Sequence, residues 1–290
     1  MAHNAKDPRR AADARRNALF VLPMAVVAVV LVALPLIYVL GTSLVAQGQD
    51  FSFGAAFTLD NYRNLLRADY LLVFFNSLKL AFLTTVVSLL IGYPFGYFMA
   101  RSSRRWKALL MMLVIIPFWT SALVRIYGWK ILLQANGPVN AVLKSLGLIE
   151  KNIKFLGSYG SVLLAMVYCM ISFMILPCHS AVDKMDFTLV EAARDLGSAP
   201  WRAFIDVTLP LTMPGIMAGC VLVFVPSVGI FYLADIMGGG LVLVGNLIRD
   251  QLLKVRDWNT GSAMSMVLIF ITAGIYLVYR RGGGKDLGVF

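Results

Sequence analysis

Few residues of this chain are of types and spacings that could do chemistry. The clearest carboxylate inside an apolar stretch is Asp235, which follows Phe231 and Tyr232. At helical spacing Phe231 and Asp235 share a face, one turn apart. A carboxylate beside aromatic faces suits a cation, through charge and through the ring quadrupole. An ionisable group within an apolar span is also a functional-site candidate by default. A plainer reading stands beside it: Asp235 as counter-ion to Arg125, Lys130 or Arg249, and the rings as interface anchors. Arg249 itself would either pair with Asp235 in a closed gate or face a protein outside. Other chemistry finds little support. His3 and His179 are far apart in sequence, and Cys169, Cys178 and Cys220 lie in apolar runs with neither zinc-ligand nor CxxC spacing. No metal site and no disulfide framework is expected, and the cysteines read as small hydrophobes. No GxxxxGK[ST] phosphate loop is present, and no convergent nucleophile and base.

A second constellation occupies the polar segment 183–212. Thr188 and Glu191 have the spacing of a capping box, so a short helix is expected to begin at Thr188. Gly197 can end it in a left-handed conformation, and Ser198 with Pro200 suits the start of another. On that second helix Trp201, Phe204 and Ile205 fall on one face. A membrane surface or a nucleic acid would call for clustered basic residues. Here Lys184, Arg194 and Arg202 are outweighed by Asp183, Asp186, Glu191, Asp195 and Asp206. The exposed aromatics therefore ask for a protein partner.

The elements that position these residues follow from composition. The chain is 59% hydrophobic and 14% charged, against roughly 45–50% and about 25% in soluble domains. Lipid must be its solvent. Six apolar runs are long enough to cross a bilayer, at about 19–44, 72–100, 108–133, 159–182, 213–237 and 259–280. An all-α membrane protein of six transmembrane helices is expected, with tails at 1–18 and 281–290. Of the 26 Lys and Arg residues, 15 lie on the side of the termini and of segment 183–212, and eight on the other. Both termini are therefore expected in the cytoplasm. The remaining three, Lys79, Arg125 and Lys130, fall within spans, the last two toward the outer end of span three, where long basic side chains snorkel. Prolines 23, 35, 94, 117, 177, 214 and 226 promise kinked helices, and Gly92 with Gly96 allows close helix contact.

Glu191-Ala192-Ala193, three residues, Gly197, nine residues and Val207-Thr208-Leu209-Pro210 together resemble the EAA motif of ABC importer permeases, with Val where Ile is usual. The resemblance extends from about 19 to 280. It is carried further by Phe57 to Tyr62, Pro117 to Thr120, Arg125 to Trp129, Gly229 to Asp235 with Met237 to Gly239, and Arg256 to Trp258. It is greatest to permeases of spermidine/putrescine importers. Cys178-His179 departs from that pattern, and the segment after Gly239 is slightly shorter.

The resemblance implies the type I ABC importer transmembrane-domain fold in a bacterial inner membrane. It implies that Glu191, Ala192, Ala193 and Gly197 form a coupling surface for a cytoplasmic ATPase. Two ATPase subunits would supply ATP and Mg chemistry, a second homologous permease the other half of the pathway, and an extracytoplasmic binding protein the substrate. Phe231, Tyr232, Asp235 and Arg249 would line the route of a polyamine. Another organic cation, sulfate, thiamine or iron is the alternative cargo. An ion-coupled transporter or an intramembrane enzyme would leave the segment around Glu191 unexplained, and no inverted repeat is visible.

Overall fold

The computed structural model describes residues 8–46 and 56–281. His3, the first part of the expected N-terminal tail and residues 282–290 lie outside the described residues. The elements run in order as α1 (Pro8–Ser43), α2 (Asp60–Leu65), α3 (Ala68–Arg101), α4 (Arg104–Ile115), α5 (Ala122–Leu132), α6 (Pro138–Ser145) and α7 (Tyr159–Asp183). Then follow α8 (Thr188–Asp195), α9 (Pro200–Ala203), α10 (Leu209–Gly229), α11 (Tyr232–Met237), α12 (Val244–Asp250) and α13 (Trp258–Arg281). Five helices among the described residues are long and apolar enough to cross a membrane. The run 108–133 differs from the straight span expected of it. α4 passes into a 3-10 turn at Ile116–Trp119 and then bends by 97° into α5. Pro117 provides no N–H there, and Thr120 is extended, so the ladder cannot continue. The other prolines in long helices, at 23, 35, 94, 177, 214 and 226, leave their helices unbroken.

α3, α7 and α10 pack on one another and form the centre of the molecule, while α1 lies against α13 at its edge. Small residues permit the close approach. A Cβ on Gly96 of α3 would stand 3.1 Å from the His179 backbone nitrogen, and one on Gly215 of α10 only 2.3 Å from the Ala181 Cβ. Gly215 and Gly219 repeat on α10 the spacing that Gly92 and Gly96 have on α3, both pairs facing α7. With so little hydrophobic drive between helices in lipid, packing and hydrogen bonds must hold the three together. A buried bond of 2.9 Å between the Tyr93 and Thr212 hydroxyls joins α3 to α10. Ser172 donates to the Val114 carbonyl at 3.2 Å and so ties α4 to α7. His179 is buried where α3 meets α7. Cys169 and Cys178 are buried in the same core.

Segment 183–212 is shorter as a loop than its composition suggests. α9 runs through a π-helical turn, Phe204–Thr208, directly into α10. The cause is again a proline: Pro210 has no N–H to give, and the Leu209 N–H reaches back to the Phe204 carbonyl instead. Residues 200–229 thus form one continuous rod of 30 residues, about 45 Å long at about 1.5 Å per residue.

Candidate functional site

One end of the rod carries the segment around Glu191. α8 starts at Thr188 as its spacing predicts, but Thr188 does not cap it. Asp186 does: its Oδ1 accepts from the Thr188 N–H at 3.0 Å and from the Thr188 hydroxyl at 2.8 Å. Those bonds, the hydroxyl's first, hold the Asp186 carboxyl below its ordinary range. A carboxylate two residues upstream reaches the same orphan N–H, and its full charge suits the helix N-terminus better than a hydroxyl does. The other end of α8 closes as expected. Gly197 has φ +88, its N–H binds the Arg194 carbonyl at 2.9 Å, and the Ser198 N–H binds that of Ala193 at 3.0 Å. That pair of bonds is a Schellman motif, which needs a left-handed residue at this place.

The aromatic face expected on α9 divides. Phe204 turns inward and meets the Tyr93 and Tyr97 rings edge-on at 6.0 and 6.3 Å. Phe187 meets Tyr97 in the same way, with Arg101 stacked 5.4 Å from its ring centre. These contacts fix the loop to α3. Leu189, Leu196, Trp201 and Ile205 stay outside, Leu196 being 90% exposed. Glu191, Ala192 and Gly197 are exposed beside them and Ala193 is half-buried. Lys107 pairs with Asp183 where α7 ends.

The far end of the rod stops at Gly229, earlier than the apolar run to 237 suggests. Ile230 is extended and α11 starts afresh, so Asp235 sits on a separate short helix. Phe231 and Asp235 remain one turn apart, joined by an N–H to carbonyl bond of 3.3 Å. α12 presses against the break: a Cβ on Gly245 would lie 2.5 Å from the Gly229 carbonyl oxygen. Arg249 on α12 forms an ion pair with Asp235, and its guanidinium lies 5.3 Å from the Phe231 ring centre. Of the counter-ions the sequence allows for Asp235, the structure brings up Arg249 and not Arg125 or Lys130. The Phe231 and Tyr232 rings meet edge-on at 6.3 Å.

Two members of this cluster were not anticipated. Asn246 is buried, donates to Asp235 Oδ1 at 2.6 Å and to the Phe231 carbonyl at 3.2 Å, and accepts from the Leu243 N–H at 3.2 Å. Its signal in the sequence is a lone amide in the apolar run 241–248. Asp250 takes Arg249 at 2.6 Å and Lys254 at 2.8 Å, and these cations, Lys254 foremost, hold its carboxyl below the usual range. The carboxylate of Asp235 is thus held by a buried amide on one oxygen and a guanidinium on the other.

Arg125 turns toward α7. Its guanidinium carbon lies 5.7 Å from the ring centre of Tyr168, well inside α7.

A family model described as "Binding-protein-dependent transport system inner membrane component" matches residues 92–281. The spermidine/putrescine transport system permease protein PotB of Escherichia coli (strain K12) is 42% identical over 254 residues, covering 87% of this chain and 92% of its own. PotB of Haemophilus influenzae is 42% identical over 251 residues, covering 86% and 88%. Among solved structures, a bacterial ABC transporter involved in alginate import superposes with a TM-score of 0.71 at 18% identity, over 94% of this chain and 99% of that one. The fold is that of an ABC importer transmembrane domain.

Proposed function

The chain belongs to the family of binding-protein-dependent transport system inner membrane components, and from that membership we propose that it is the permease of an ATP-driven importer whose cargo is a polyamine. The observation that carries the cargo is Asp235. It is a carboxylate between a buried amide donor and a displaceable guanidinium, with two aromatic faces at hand. An extended chain of ammonium groups can take the place of Arg249 on Asp235 and slide along Phe231 and Tyr232. The high identity to two polyamine permeases supports the same reading.

The work is done elsewhere. ATP and Mg are handled by two partner ATPase subunits, and the chain itself catalyses nothing. A binding protein delivers the polyamine from outside, and a second permease completes the pathway. The termini and the Glu191 surface face the cytoplasm. There the exposed face of Leu189, Leu196, Trp201 and Ile205 enters a groove of the ATPase, with Glu191, Ala192, Ala193 and Gly197 shaping the contact. When ATP draws the two ATPases together, the rod 200–229 carries the movement to the Gly229 break. That movement parts Arg249 from Asp235 and opens the site; hydrolysis returns it.

The test is uptake of labelled spermidine and putrescine by vesicles holding the assembled complex, with and without ATP. ATP-dependent uptake is expected, and Asp235→Asn is expected to reduce it by tenfold or more at equal protein level. Removing a charged hydrogen-bond partner costs roughly 1.5–3 kcal/mol. Uptake of sulfate or thiamine in place of polyamines would overturn the cargo.

A further inference from the structure

Arg125 is a charge with no carboxylate partner among the described residues. It lies on α5, and its guanidinium stacks on Tyr168, the tenth residue of the 25 in α7. At about 1.5 Å per residue that ring is roughly 15 Å from the helix end and close to its midpoint. Trp129, one turn further along α5, meets the same ring edge-on at 5.6 Å. The side chain is therefore held within the length of the apolar helix α7, away from either of its ends. No carboxylate among the described residues pairs with it, and its Nε is buried without a hydrogen-bond partner. A guanidinium in that setting needs an anion.

The surface around it is that of a helix awaiting another helix. Leu123, Val124 and Tyr127 are exposed on α5. A Cβ on Gly128, three residues beyond Arg125, would meet nothing within 4 Å, so a neighbouring backbone can come close. The position also bears on the cargo. Arg125 is near enough to Tyr232 to act on it electrostatically, and an unneutralised guanidinium there would repel a polyammonium chain. We propose that α5 is part of the contact with the second permease, which supplies from one of its own spanning helices an Asp or Glu that pairs with Arg125. The pair would hold the two permeases in register and remove a positive barrier beside the route.

This inference rests on the two-permease reading but not on the identity of the cargo, so its test reads assembly rather than uptake. The whole complex is expressed with a tag on this chain, and the second permease retained after detergent extraction is measured. Arg125→Glu is expected to lower retention at least tenfold, Arg125→Gln several-fold, and Arg125→Lys less than twofold, each at equal amounts of this chain in the membrane. If Arg125→Glu fails to accumulate, the neutral Arg125→Gln gives the reading. Exchanging the intramembrane carboxylates of the second permease for Lys, one at a time, is expected to restore assembly with Arg125→Glu or Arg125→Asp at a single position. Wild-type retention by Arg125→Gln and Arg125→Glu, or failure of every exchange to rescue, overturns the proposal. Loss of polyamine uptake with the pair intact would count against the cargo alone.

Discussion

Single residues set how the two ends of the molecule behave. At the proposed gate, Asp235 is legible from sequence as a carboxylate near aromatics, and Arg249 as one of three candidate counter-ions between which the sequence alone does not choose. Arg249 lies 14 residues away on a separate helix, and it is the connection 238–243 that brings α12 back to α11. Asn246 is less legible still, since an amide in an apolar run carries no sign of which acceptor it will meet. At the coupling surface Gly197 is both legible and decisive. A Cβ there would meet nothing within 4 Å, so the cost of Gly197→Ala is purely the left-handed backbone, about 1–2 kcal/mol. Uptake by Gly197→Ala is expected to fall several-fold, and Gly197→Asn to recover much of it, because Asn tolerates that conformation. Equal loss in both variants, measured at equal expression, would point to a size requirement in the docking groove instead.

At the scale of elements, the apolar runs located the long helices well, but they cannot say where a helix stops inside a run. Hydropathy is blind to the difference between Pro117, which ends α4, and Pro177, which α7 absorbs. What decides is whether neighbours re-satisfy the freed carbonyl. At the level of Pro177, α10 approaches α7 through Gly215, where a Cβ would come within 2.7 Å of the Pro177 carbonyl oxygen. That contact makes a prediction about stability. Gly215→Val should force α7 and α10 apart and cost about 1–3 kcal/mol or more, the range for overpacking. A lowered midpoint of thermal unfolding in detergent is the expected reading, with Gly128→Val, in open space, unchanged when this chain is purified alone. The Gly215 and Gly219 pair could have been found by the rule that points to Gly92 and Gly96. The π-helical turn at Phe204–Thr208 could not, because it answers a proline one turn on and keeps the rod continuous where composition reads a loop.

For the molecule as a whole, the rod from Pro200 to Gly229 joins the surface proposed for the ATPase to the site proposed for the cation. Leu196→Glu, on a side chain 90% exposed, is expected to leave folding untouched while detaching the ATPase. Loss of ATPase co-purification without loss of this chain from the membrane is the outcome to look for. A stiff connection of this kind has no preferred direction. Whatever free energy ATPase closure exerts on the gate, cargo seated at the gate exerts on the ATPase, by the reciprocity that binds any two linked equilibria. Cargo occupancy should therefore tighten nucleotide binding by the partner ATPases by the factor through which nucleotide opens the gate. Asp235→Asn should erase that effect at a site some 45 Å away by rise per residue. The complex would then read its cargo before spending a nucleotide on it, and idle turnover would be suppressed by the same helix that transmits the stroke.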